Sequence, residues 1–110
     1  MSDTPVLDFV AEMTAGSIER STLDPTDLTL VRLAALIASD APPVSYLANL
    51  GAAADSGLDV EDIQGVLVAV APIVGTARLM MAARNIGLAL GVAVAAVEAE
   101  IEAALAEGGE

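Results

Sequence analysis

A chain of 110 residues suits one compact core, and 55% apolar residues with one Phe, one Tyr and no Trp favours closely packed helices over strands. Sixteen acids against four arginines, a net charge of −12, argue against nucleic acid or an anionic membrane surface as partner, since both need a cationic face. With no cysteine and no histidine, disulfides, thiolate chemistry and the commonest general base and transition-metal ligand are all missing, and neither a metal nor a cofactor is expected.

Residues 1–4 read as a tail, and Asp3 or Thr4 before Pro5 as a helix cap. No positive charge and no immediate apolar run follow Met1, so a signal peptide is not expected and the cytoplasm is the expected setting. A first helix is predicted over 5–17, with Val6, Phe9, Val10 and Met13 in one stripe that lies across the domain or a neighbour. Asp24, Pro25 and Asp27 start a second, central helix that is apolar on nearly all sides, its single internal cation being Arg32.

Pro42 and Pro43 separate this helix from a third over 43–56, which Gly57 stops in a left-handed conformation. Asp59 caps a fourth, which breaks at Pro72. From Thr76 to about Glu107 no proline interrupts the last helix, which at 1.5 Å per residue would be roughly 48 Å long and must bend or leave the domain. Gly87 and Gly91 allow a bend or a close helix contact, and Leu90, Val94, Val97, Ile101 and Leu105 form a stripe read as a seam between subunits. The longest uncharged apolar run, 86–97, is well short of the ~20 residues needed to span a bilayer. A domain of this size leaves about 35% of its unfolded surface exposed, so its apolar excess calls for a partner surface, most simply another copy.

The order Leu23, Asp24, Pro25, an apolar helix, a proline-marked turn, a helix ending at Gly57, then Leu58, Asp59, Val60, Glu61, Asp62 and Ile63, resembles the carboxymuconolactone decarboxylase family, which includes the alkylhydroperoxidase D-like proteins. The likeness covers about residues 23–90 of a single domain over 1–110, leaving 91–110 as a helical extension and acidic tail. It implies an all-α domain of about five helices with a long C-terminal helix, assembled as a homo-oligomer, a trimer or hexamer. The redox branch of that family carries Cys-x-x-Cys at the start of the third helix, a histidine four residues later and a glutamate on the preceding helix. Counted back from Gly57, those places fall on Pro42, Ser45 and Asn49, and on Thr29 or Leu30, and none of the reactive residues is kept. A serine hydroxyl does not cycle between thiol and disulfide, so thiol peroxidase chemistry is excluded for this chain.

Ser45, Tyr46 and Asn49 are candidates for a polar patch that orients a small ligand, or are ordinary polar groups near a helix start. Arg32, Arg78 and Arg84 are candidates for holding a carboxylated ligand, or pair internally with Asp40, Asp55 or Asp62 or with an acid of a neighbouring subunit. Asp59–Asp62 reads as a helix start and Glu98–Glu102 as a solvated face; Met80 and Met81 read as core, and Asn85 as the cap of a kink. Three functions follow: a catalytically silent binding or structural relative, which is favoured; a cofactor-free decarboxylase or lyase on a small carboxylated substrate held by arginine; and an assembly subunit working with a redox-competent relative.

Overall fold

In a computed structural model the described chain is five helices: α1 Pro5–Arg20, α2 Pro25–Ala38, α3 Pro43–Asp55, α4 Val60–Val74 and α5 Thr76–Gly108. The structure describes the backbone of residues 3–108 and the side chains there other than those of 92–98, 100 and 108. No strand is present among the described residues, and none of their helices is long and apolar enough to cross a membrane. The fold is all-α, as composition and resemblance both imply.

Local chemistry sets most of the boundaries. The Asp24 carboxylate accepts the Asp27 backbone N–H at 2.9 Å, and Pro25 takes the first turn of α2, where its missing N–H costs nothing. At the start of α4 the box is reciprocal: Asp59 accepts from the Asp62 N–H and Asp62 from the Asp59 N–H, each at 3.0 Å. Helix α3 closes on Gly57 at φ +79, with the Leu58 N–H donated to the Ala53 carbonyl at 2.9 Å. The end of α2 repeats that geometry with Asp40 at φ +56 in the glycine's place, and the Ala41 N–H donated to the Leu36 carbonyl at 3.1 Å.

The core lies among α2, α3, α4 and α5: Leu33 and Ile37 from α2, Tyr46 and Leu50 from α3, Ile63 from α4, and Ala82, Ile86 and Ala89 from α5. Two small residues, Ala82 and Ala89, stand where α5 packs on the core, in keeping with the closely packed helices that the composition implies.

Several expectations are corrected. Pro72 does not break α4; it lies in the last turn, where a single ladder bond is lost, and the helix runs on to Val74 before Gly75 turns it at φ +84. Met80 and Met81 are 65% and 44% exposed, not core, because α5 turns its Ala82–Ile86–Ala89 side inward. Gly87 and Gly91 mark no close helix contact within the chain: a Cβ added at either meets nothing within 4 Å. Helix α5 leaves the body, its described residues from Gly91 onward being exposed; Val94 and Val97 of the expected seam lie outside the described side chains, as does Glu98. Helix α1 runs on to Arg20, three residues beyond its predicted end, and buries no residue at all.

Candidate functional site

The turn between α2 and α3 opens the site. Pro42 stands at the N-cap position of α3 without a side-chain cap, and its carbonyl accepts the Ser45 backbone N–H at 3.0 Å. Pro42 and Ser45 are exposed, whereas Tyr46 and Asn49 are buried, so four-residue spacing does not put Ser45 and Asn49 into one pocket. Ser45 sits on the rim and Asn49 in the packing between α3 and α2.

Asn49 reaches α2. Its Nδ2 donates to the Thr29 backbone carbonyl at 3.4 Å, and Thr29, itself buried, donates its hydroxyl to the Pro25 carbonyl at 2.8 Å. The places assigned by resemblance to a histidine and a glutamate therefore do meet in this fold, and Thr29 rather than the half-buried Leu30 is the one that faces Asn49. A carboxamide, a hydroxyl and a backbone carbonyl carry no charge near neutral pH, and the contact joins α3 to α2.

Tyr46 is fully buried, and its hydroxyl has no hydrogen-bond partner among the described residues. Burial, and secondarily the negative charge of Asp40, push its pKa above the ordinary tyrosine value of 10.0. The phenol is accordingly a neutral acid in the folded chain, and packing is its evident contribution.

The three arginines do not converge. Arg32 is half-buried and its Nη2 donates to the Ser17 hydroxyl on α1 at 2.9 Å. Arg78 is exposed at the start of α5, and its Nη1 donates to the Ala38 carbonyl at the end of α2 at 2.8 Å, a cation set against the negative pole of a helix. Arg84 is exposed and makes no hydrogen bond among the described residues. Internal pairing with Asp40, Asp55 or Asp62 does not occur: the described residues contain no ion pair of these arginines. Asn85 caps no kink; its Nδ2 donates to the Ala41 carbonyl at 3.1 Å, tying α5 to the α2–α3 turn.

One open concavity of about 540 Å³ does involve an arginine. It lies between the α2–α3 and α4–α5 turns, lined by Asp40, Val74, Gly75, Thr76, Arg78 and Met81. None of Pro42, Ser45, Tyr46 or Asn49 lines it, so Arg78 stands apart from those four candidates. Sequence reasoning names Asp40 as a possible acid partner of an arginine but not as a left-handed cap, for which an aspartate just after a helix and before a Pro-Pro turn is a signal. Asp59 and Asp62 are engaged by their own helix start, with each carboxylate accepting a backbone N–H.

The model of the carboxymuconolactone decarboxylase family matches residues 4–89 of the chain. Comparison with curated proteins and with solved structures finds no match.

Proposed function

The chain belongs to the carboxymuconolactone decarboxylase family, and on that premise we propose that it is a member without thiol peroxidase chemistry, a non-redox, oligomeric binding or structural relative. The observation that carries this reading is the Asn49–Thr29 contact. It joins the two positions where a proton relay would stand, and it joins them with groups that do not titrate near neutral pH. The chain also has no cysteine from which a peroxide-reducing thiolate could come.

A second reading, a cofactor-free decarboxylase or lyase acting on a small carboxylate, draws its support from Arg78 in the 540 Å³ concavity. A guanidinium has five donors in a fork suited to a carboxylate, and the Ala38 carbonyl engages Arg78 through Nη1 alone. Against it stands the composition of that concavity: Asp40 shares it, and no basic residue there is tunable near neutral pH.

A thermal-shift screen against a panel of small carboxylic acids separates the two, together with hydroperoxide consumption measured in the presence of a dithiol reductant. A ligand at 100 times its dissociation constant adds about 2.7 kcal/mol. The proposal expects no peroxide turnover and no shift with any acid. A saturable upward shift that Arg78→Gln abolishes, together with consumption of that acid by the unaltered chain, would replace it with the lyase reading; the shift without consumption would leave a binding protein.

A further inference from the structure

Asp40 occupies a place that suits another residue. It takes the left-handed position closing α2, at φ +56, whereas the equivalent position after α3 is held by Gly57 at φ +79. A side chain strains that conformation, and aspartate tolerates it best by hydrogen-bonding its own neighbourhood. Here the Asp40 carboxylate makes no hydrogen bond and no ion pair among the described residues, and it does not cap α3, whose N-cap Pro42 has no side-chain cap. It also stands just past Ser39, the C-cap of α2, at the negative pole of that helix, where a carboxylate is disfavoured. Backbone strain that no contact within the chain offsets clusters at ligand clamps and switch regions.

The opposite charge stands beside it. Arg78 donates Nη1 to the Ala38 carbonyl at 2.8 Å, two positions before Asp40, so cation and anion are gathered at one helix end. The Nη2 and Nε groups of Arg78 have no hydrogen-bond partner among the described residues, and the guanidinium forms no ion pair with Asp40. Both residues line the concavity of about 540 Å³, a volume within the roughly 300–1,000 Å³ of small-molecule sites. Val74, Ala77 and Met81 give it an apolar wall.

We propose that this concavity binds a small amino acid with an apolar side chain: the carboxylate on Arg78, the ammonium on Asp40, the side chain against Val74 and Met81. The inference rests on the binding reading proposed above and names a ligand class for it. Charge separates this class from its neighbours. A simple carboxylate meets Asp40 as a like charge and a simple amine meets Arg78 as one, whereas a zwitterion satisfies both. The bond to Ala38 holds Arg78 in place before a ligand arrives, which lowers the ordering cost of binding, and the open part of its fork suits a carboxylate. The acid that counts against a carboxylated substrate in the lyase reading is thus the second half of an amino acid site.

Isothermal titration of the full chain with L-leucine at low salt tests the proposal, alongside two truncated probes: isocaproate, which is leucine without its ammonium, and isoamylamine, which is leucine without its carboxylate. Saturable leucine binding at millimolar concentration or below is expected, with each truncated probe at least tenfold weaker. Asp40→Asn removes the charge and keeps a residue that tolerates the left-handed position, and Arg78→Gln removes the fork; each is expected to weaken leucine binding at least tenfold with helical circular dichroism unchanged. Asp40→Gly is expected to hold or raise the urea midpoint of the ligand-free chain while binding is lost. The proposal is overturned if the unaltered chain does not bind leucine, if isocaproate binds as tightly as leucine, or if either Asp40→Asn or Arg78→Gln binds as the unaltered chain does. A lowered midpoint in Asp40→Gly overturns it too, since the carboxylate would then serve the fold. Peroxide consumption is read separately, so a chain that neither binds leucine nor consumes peroxide loses this inference and keeps the non-redox reading.

Discussion

The chain's two aromatic side chains stand at opposite extremes of burial: Tyr46 on α3 is 0% exposed and Phe9 on α1 is 65% exposed. Both belong to helices started by a proline and carrying apolar residues at helical spacing. What differs is the surroundings, since α3 is enclosed by α2 and α5 whereas α1 meets no apolar surface of the body that buries it. An apolar stripe thus specifies a helix and the need for a cover, but not whether the cover belongs to the same chain.

The sharpest way to break the comparison is truncation on both sides of it. Tyr46→Ala removes a fully enclosed ring and is expected to cost about 3–5 kcal/mol in urea denaturation, as large-to-small core changes do. Phe9→Ala, measured dilute enough to keep the chain monomeric, should stay within about 0.5 kcal/mol. Equal losses would mean that α1 packs on the body.

A pH titration comes next in size. With no lysine, histidine or cysteine in the chain, Tyr46 is the side chain whose ordinary value, 10.0, lies in the alkaline range. Its pKa is raised in the folded state, by burial first and by Asp40 second, above the ordinary value of 10.0. Below that ordinary value both states hold the phenolic proton and stability is at its full level. Above it the unfolded chain releases the proton while the folded chain keeps it, so stability falls with rising pH, by at most about 1.4 kcal/mol per unit. Phenolate absorbance should therefore appear together with loss of helical circular dichroism. Phenolate forming near pH 10 in a fully helical chain would show Tyr46 to be accessible.

Smaller still is the effect at a boundary. Asp59→Ala removes one half of the reciprocal box and should lower stability by about 1 kcal/mol in the same urea experiment. This is the part of the fold most legible in the sequence, because Asp24, Asp59, the prolines at 25 and 43 and Gly57 act through bonds to residues three to five positions away. Long-range choices were less legible. Apolar residues surround α5 at its start, so periodicity did not reveal that Ala82, Ile86 and Ala89 face the core and Met80 and Met81 do not. The site divides in the same way. Spacing and resemblance assign the relay positions to Asn49 and to Thr29 or Leu30, whereas the choice of Thr29 as the partner of Asn49, the exposure of Ser45 and the separation of Arg78 from both depend on how α3 and α5 dock.

The smallest expected effect bears most directly on function. Tyr46→Phe deletes a hydroxyl that is buried and has no hydrogen-bond partner among the described residues, while leaving the ring in its packing. An orphaned hydroxyl carries its desolvation cost without return, so the variant should be neutral or gain up to about 1 kcal/mol. The alkaline decline should vanish with it, since the titrating group is gone. A loss of more than about 1 kcal/mol would instead mean that the hydroxyl is bonded in solution, to a water or to a small molecule held beside α3. The body would then be hollow where it is expected to be filled, and the emptied redox site would regain a claim to bind a ligand. Repeating the carboxylic acid screen on Tyr46→Phe would test that claim, because an acid that stabilises the wild-type chain and not the variant must engage the phenol.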